Sequence, residues 1–442
     1  MIRQMSRLFF ALLATLALSI PARAAVDIQE VTSPGGITAW LVEEHSIPFV
    51  ALELRFKGGA SMDAPGKRGA INLMTGLIEE GAGSLDAQGF AAAQEELAAK
   101  YSFDVYDDAL SISARFLTEN RDASIALLKS ALVDPRFDED AVERVRGQVL
   151  SIIRGDLKDP DAIASTAFDK MTFGGHPYAT SSNGTTESVT ALTRDDIVAA
   201  HKAVLTRDHL YVSAVGDITA EELGALMDDL LGELPATGAP LPGPAEVSFD
   251  GSTTVVPYAT PQSVALFGHH GIPRDHPDFF AAFVLNTVLG AGNFDSRLMV
   301  EVREKRGLTY GIYTYLAAKD NADLLVGRFA SANDRIGEAI QVIKDQWALI
   351  AAEGVGQEDL DNAKTYLTGA YPLRFDGNAN IAGIMVGMQL DHMPIDYIAT
   401  RNDKINAVTM ADIKRVADLL LDPERLSFVV VGQPVGVETT NY

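Results

Sequence analysis

The stretch Gly66–Leu77, GKRGAINLMTGL, reads as a short apolar helix framed by glycines. Positions 72, 75 and 76 fall on one face of that helix, at i, i+3 and i+4. Histidines at i and i+4 with a glutamate at i+3 would place two metal ligands and a general base there. The three positions hold Asn72, Thr75 and Gly76. An amide oxygen is a poor zinc ligand, a threonine hydroxyl is not a base near neutral pH, and glycine offers no group at all. A face with these residues cannot hold catalytic zinc.

Working outward, Ile37–Val42 and Phe49–Lys57 have the alternation of paired strands, with turn residues between them. The apolar helix is expected over Arg68–Glu80 and a second over Asp86–Lys100, followed by strands at Phe103–Val105 and Leu110–Phe116. Helices follow at Asp122–Val133 and Asp138–Leu157. Strands first, then helices, then a closing strand implies an α+β fold, a mostly antiparallel sheet with helices on one face.

The pattern occurs twice. Thr193-Arg-Asp-Asp-Ile197 matches Thr409-Met-Ala-Asp-Ile413, and Leu210–Gly216 matches Leu426–Gly432, both 216 residues apart. Each block is a threonine-capped amphipathic helix, a turn and a buried strand ending in glycine. Ala51-Leu52 with Ala265-Leu266, and Asn72 with Asn286, repeat at 214. Duplication is the expected origin of two homologous domains. The Pro/Gly-rich GELPATGAPLPGP at 232–244 reads as the linker between residues 25–231 and 245–442.

With 442 residues, 47% of them hydrophobic, the chain can fill two cores. Its 60 acidic and 36 basic residues leave a net charge of −24, which argues against nucleic acid and anionic membrane surfaces as partners. Arg3 and Arg7, the apolar run Leu8–Ile20 and Ala22-Arg23-Ala24 compose a secretory signal peptide over residues 1–24. No later run is long enough to span a membrane, so a periplasmic location is expected after cleavage. There is no cysteine, hence no disulfide or thiolate chemistry.

Three landmarks carry a resemblance to a known family. They are the vacated helix, the turn Phe173-Gly-Gly-His-Pro-Tyr178, and Ser296–Tyr310, SRLMVEVREKRGLTY. Together with the duplication they resemble the insulinase/pitrilysin-type (inverzincin) metallopeptidases over nearly all of the mature chain. The likeness is greatest to the short bacterial branch similar to mitochondrial processing peptidase. The resemblance places a third zinc ligand, a Glu, near Ser151-Ile152-Ile153, none of which is acidic. It also implies that Arg303 and Tyr310, seven residues apart, reach a facing active site. An arginine fork there would hold substrate carbonyls, and a tyrosine hydroxyl would donate to an oxyanion. On spacing alone, Arg303 could equally be a solvated helix residue and Tyr310 a strand core residue.

The resemblance therefore implies a zinc-less subunit, with no cofactor in this chain and zinc in a homologous partner. That pair would enclose a chamber for peptide substrates bound as added strands. A non-catalytic peptide- or protein-binding scaffold of the same fold is the alternative. His269, His270 and His276 lie close in sequence, but adjacent histidines on a strand point to opposite faces, which disfavours a metal site. His176 is expected to be structural. No G-x-S-x-G elbow or P-loop is present.

Overall fold

Strand-forming segments cluster at the start and end of each half and pair into two sheets. The computed structural model describes residues 26–291 and 294–440, so the signal-peptide expectation lies outside the described residues. In the first half the strands are β1 (Gln29–Thr32), β2 (Thr38–Glu43), β3 (Phe49–Lys57), β4 (Gly81–Ala82), β5 (Leu85–Asp86), β6 (Lys100–Val105), β7 (Ala109–Leu117) and β8 (Leu210–Gly216). Six form a sheet in the order β1-β2-β8-β3-β7-β6, while β4 and β5 make a small ribbon. In the second half β9 (Thr253–Pro257), β10 (Gln262–His270), β11 (Ile312–Lys319), β12 (Ala322–Ala332) and β13 (Ser427–Gly432) pair in the order β11-β12-β10-β13-β9. Only β2 with β8 and β9 with β13 run parallel. The fold is α+β with mostly antiparallel sheets, as the sequence implies.

The repeated blocks adopt matching local structure. Thr193 and Thr409 each close a capping box, with Asp196 and Asp412 three residues on. The strands that follow end at Gly216, φ 142°, and Gly432, φ 154°. A Cβ at Gly216 would lie 2.2 Å from the Phe49 carbonyl oxygen, and one at Gly432 would lie 2.2 Å from Ser263 Oγ. Both positions accept only glycine without a shift of their neighbours. Asn72 and Asn286 are also equivalent, since the amides of Gly76 and Gly290 end their helices on these two carbonyls, at 3.1 and 2.9 Å.

One repeat match needs correction. Ala51 pairs with Val215, whereas the residue paired with the equivalent Val431 is Val264, not Ala265. Ala51 and Val264 face away from their own domain's helices, whereas Leu52 and Ala265 face them. A slip of one residue in a strand exchanges its two faces, so β3 and β10 align one residue earlier than the dipeptide match suggests. The first helix is also shorter than expected, Ala70–Thr75. Gly69 (φ 92°) opens it and Gly76 closes it, which leaves Leu77 and Ile78 buried in the turn beyond.

Each sheet's own helices cover one face. The opposite face is covered by a helix from the other half. Helix Pro160–Phe173 lays Ala164 and Phe168 on Val264, Leu266, Val429 and Val431 of the second sheet. Gly268 makes room for it, because a Cβ there would sit 2.6 Å from Phe168 Cζ. In return, helix Asn378–Leu390 packs Ala382 and Met385 against Trp40, Ala51 and Val215 of the first sheet. Ser213 Oγ donates to the Ala382 carbonyl at 2.7 Å, and Gln389 Nε2 to that of Val212 at 2.8 Å. Covering both faces is why β3, β8, β10 and β13 read as near-continuous apolar runs.

Candidate functional site

The vacated helix is held in place by polar partners from outside it. The carboxylate of Asp63 accepts from the amides of Gly69 (2.8 Å) and Ile71 (2.9 Å), capping the helix from outside it. Burial pushes the Asp63 carboxyl up, against the pull of those amides and of Arg68. Asn72 Nδ2 donates to Asn183 Oδ1 at 3.2 Å, and Asn183 Nδ2 donates in turn to Asp156 Oδ2 at 3.3 Å. Thr75 is buried and its hydroxyl donates to the Ile71 carbonyl at 2.8 Å, so the helix itself uses the only polar atom at the base position. At Gly76, which is exposed, a Cβ would meet Val145 Cγ1 at 3.2 Å, so a side chain there would crowd an apolar neighbour.

The third-ligand region gives the same answer. Ser151, Ile152 and Ile153 lie on helix Glu139–Asp156, the first two exposed and the last buried. Among the described residues no group of three or more His, Cys, Asp or Glu is placed to hold a metal ion. The groups at this face are the amides of Asn72 and Asn183, the Thr75 hydroxyl and one carboxylate, Asp156, each already engaged. They do not fit zinc, and no hydrolytic step can be routed through it.

The Arg303–Tyr310 stretch is built differently. Arg303 lies in a π-helical turn, Met299–Glu304, a geometry frequent at functional positions. Its guanidinium sits 5.1 Å from the exposed ring of Phe294. The nearby Glu301 is taken by Lys305 (2.6 Å) and Arg306 (2.7 Å), and among the described residues no carboxylate pairs with Arg303. Leu308 then anchors the chain in the core, and Thr309 Oγ1 donates to the Ala330 carbonyl at 2.7 Å. Between these anchors and β11, Tyr310 is 89% exposed, which removes the strand-core reading of that residue. Tyr313 and Tyr315 continue as a half-exposed aromatic row on β11, an edge strand. Among the described residues no hydrogen bond or ion pair links this stretch to the Asn72 face.

The remaining expected residues resolve into structure. His176 Nδ1 accepts from the Tyr178 amide at 3.2 Å, and its Nε2 lies 3.1 Å from the Gly243 carbonyl, which ties the turn to the Pro/Gly-rich segment 232–244. His269 is buried at the end of β10, and burial pulls its pKa down. The Tyr178 hydroxyl is buried between the halves, where it donates to Asp108 and accepts from the Asn321 amide at 3.3 Å. Lys319 bonds Asp107 at 2.5 Å, and Lys57 lies 3.3 Å from Asp320. The hairpin tips β6–β7 and β11–β12 thus meet in one polar joint. The sequence reading missed this joint because Asp107-Asp108 and Lys319-Asp320 look like ordinary turn residues. The Pro160 that follows Asp159, an N-cap followed by proline, was the available signal for the crossing helix.

Comparison with known proteins follows the same lines. Residues 191–367 match the family description "Peptidase M16 inactive domain". A protein of Helicobacter pylori named as a non-peptidase homologue, YmxG, is 27% identical over 88% of this chain and 90% of its own. An uncharacterized zinc protease of Streptomyces coelicolor is 25% identical over 92% of this chain and 89% of its own. A crystal structure described as a peptidase M16 inactive domain from Pseudomonas fluorescens superposes with a TM-score of 0.87 at 26% identity. It covers 94% of this chain and all of its own.

Proposed function

We propose, for a chain that belongs to the insulinase-type (M16) peptidases and lacks their zinc residues, a role as the non-zinc subunit of a heteromeric peptidase. A homologous zinc-bearing subunit supplies the metal and the base. This chain supplies Arg303 and Tyr310, which reach the partner's active site in trans, and helps to wall a peptide chamber. The observation that carries the reading is the contrast between the two stretches. The metal face carries no free ligand, its polar side chains being bonded to Asn183 and to its own backbone, while Tyr310 stands exposed seven residues beyond an arginine without a carboxylate partner among the described residues.

The chemistry of the pair supports the role. A guanidinium has two parallel donors for a substrate carbonyl or carboxylate. A tyrosine hydroxyl can donate to the oxyanion of a tetrahedral intermediate. The edge strands β6 and β11 supply backbone groups to which an extended peptide can add. Export to the periplasm belongs to the same proposal and rests on the N-terminal sequence alone.

The test is peptidase activity on quenched peptides with this chain alone, a zinc-motif homologue alone, and the two mixed. Activity found or strongly raised only in the mixture, and lost with Arg303→Ala or Tyr310→Phe, supports the divided site. The second reading, a scaffold that binds peptide or protein and cleaves nothing, is favoured by the name of the Helicobacter pylori relative. A mixture no better than the zinc chain alone selects it.

A further inference from the structure

Independently of any peptidase partner, we propose that the cavity between helices Phe279–Leu289, Asn378–Leu390 and Tyr397–Ala407 binds a carboxylate carried on an apolar body. The cavity has a volume of about 660 Å³, within the range of small-molecule sites. It is apolar along Phe279, Phe283 and Met388, yet Arg274, Arg374 and Arg401 also line it. In a chain of net charge −24, three guanidinium groups round one apolar cavity are the reverse of the overall balance. Asp391 is the only carboxylate in the lining, and Arg274 takes it at 3.2 Å.

Arg401 is the centre of the argument. It is only 5% exposed. Its guanidinium stacks 4.1 Å from the Tyr371 ring centroid and 5.6 Å from that of Phe283. Its Nη1 donates to the Leu367 carbonyl at 3.1 Å and to Asn402 Oδ1 at 2.9 Å, and the Tyr397 hydroxyl also acts on the guanidinium. None of these groups is charged, so a buried cation stands without a carboxylate partner among the described residues. Such an arrangement is unfavourable unless an anion completes it. Burial already pulls the Arg401 pKa below its ordinary value. With Nη1 engaged, the donors left to the guanidinium have only the neutral Tyr397 hydroxyl, which a carboxylate in the cavity can displace or share. Arg374 at the rim likewise has no ion-pair partner among the described residues and is exposed.

The floor of the cavity is open by design of the sequence. Gly383 and Gly387 lie one turn apart on the crossing helix, and a Cβ at either would meet nothing within 4 Å. Glycine in a helix interior is unfavourable by about 1 kcal/mol relative to alanine, so two of them spaced this way keep room for something other than the chain.

The experiment is calorimetric titration of the full chain with N-acetyl-Leu-Phe as free acid, the same dipeptide as amide, and decanoate. The expected result is sub-millimolar binding of at least one acid and binding of the amide weaker by about tenfold or more. Arg374→Gln should weaken the acids by about tenfold. Gly383→Leu, which fills the floor and improves the helix, should abolish binding while leaving the circular dichroism spectrum unchanged. A tighter dipeptide acid would identify a peptide C terminus as the source of the carboxylate, and tighter decanoate a free aliphatic acid. No heat from either acid up to about 5 mM, equal binding of acid and amide, or full binding by folded Gly383→Leu would overturn the proposal.

Discussion

Asp169 should make this protein less stable as the pH rises from about 4 to about 6, and replacing it with asparagine should remove that loss. The residue sits on helix Pro160–Phe173, the element of the first half that covers the second sheet. Burial pushes its carboxyl from 3.8 up to about 6, against the attraction of Lys319 and with added repulsion from Asp107. A raised carboxyl pKa means that the folded state prefers the protonated acid. Its contribution to stability is therefore fully present below pH 3.8 and is lost as the pH rises through about 6. Two pKa units correspond to about 3 kcal/mol. Asparagine stands in for the protonated acid at every pH. Asp169→Asn should then be more stable than the parent by about 3 kcal/mol at pH 7.5 and by about 1 kcal/mol at pH 4.5. Urea unfolding followed by circular dichroism at both pH values measures the two differences. A variant no more stable than the parent at pH 7.5, or a difference that does not shrink on acidification, would refute the reasoning.

Three further outcomes are expected. Phe168→Ala should destabilise the chain by about 3–5 kcal/mol, because the ring is buried between β10 and Phe249, and the loss should appear in the unfolding of both halves rather than one. Gly216→Ala should cost about 2–4 kcal/mol in urea unfolding, since its Cβ would lie against a backbone carbonyl that cannot swing aside. The combined reversion Asn72→His, Thr75→Glu and Gly76→His should retain no stoichiometric zinc by metal analysis after dialysis. Val145 crowds position 76, and Ser151, Ile152 and Ile153 supply no third ligand.

The candidate site divides by how its information is stored. That the metal face is chemically empty follows from side-chain identity at Asn72, Thr75 and Gly76, which no packing can alter. What occupies the face does not follow. The chain from Asn72 through Asn183 to Asp156 joins residues distant in sequence, and Val145 reaches Gly76 only because two helices pack. The Arg303–Tyr310 spacing was visible, but two readings of Tyr310 were open, because strand alternation cannot tell the last residue of a loop from the first of a strand. Leu308 and Thr309 before it and the strand from Ile312 after it hold the chain on both sides, which leaves the ring of Tyr310 to solvent.

Short-range pattern determined the α+β class, the repeated capped helix and closing strand, and the lost ligands. Each depends on residues within one element, where periodicity and capping act. The 3D arrangement decided the rest. Helix Asn378–Leu390 is apolar on several sides, which announces burial without naming the surface it covers. Only the fold shows that it crosses to the first sheet while Pro160–Phe173 crosses to the second. The same crossing brings Gly383 and Gly387 into the cavity that Arg401 lines, and the meeting of two hairpin tips brings Asp108 to Tyr178. Contacts between elements distant in sequence depend on how whole faces match in shape and charge, and no local pattern encodes that match.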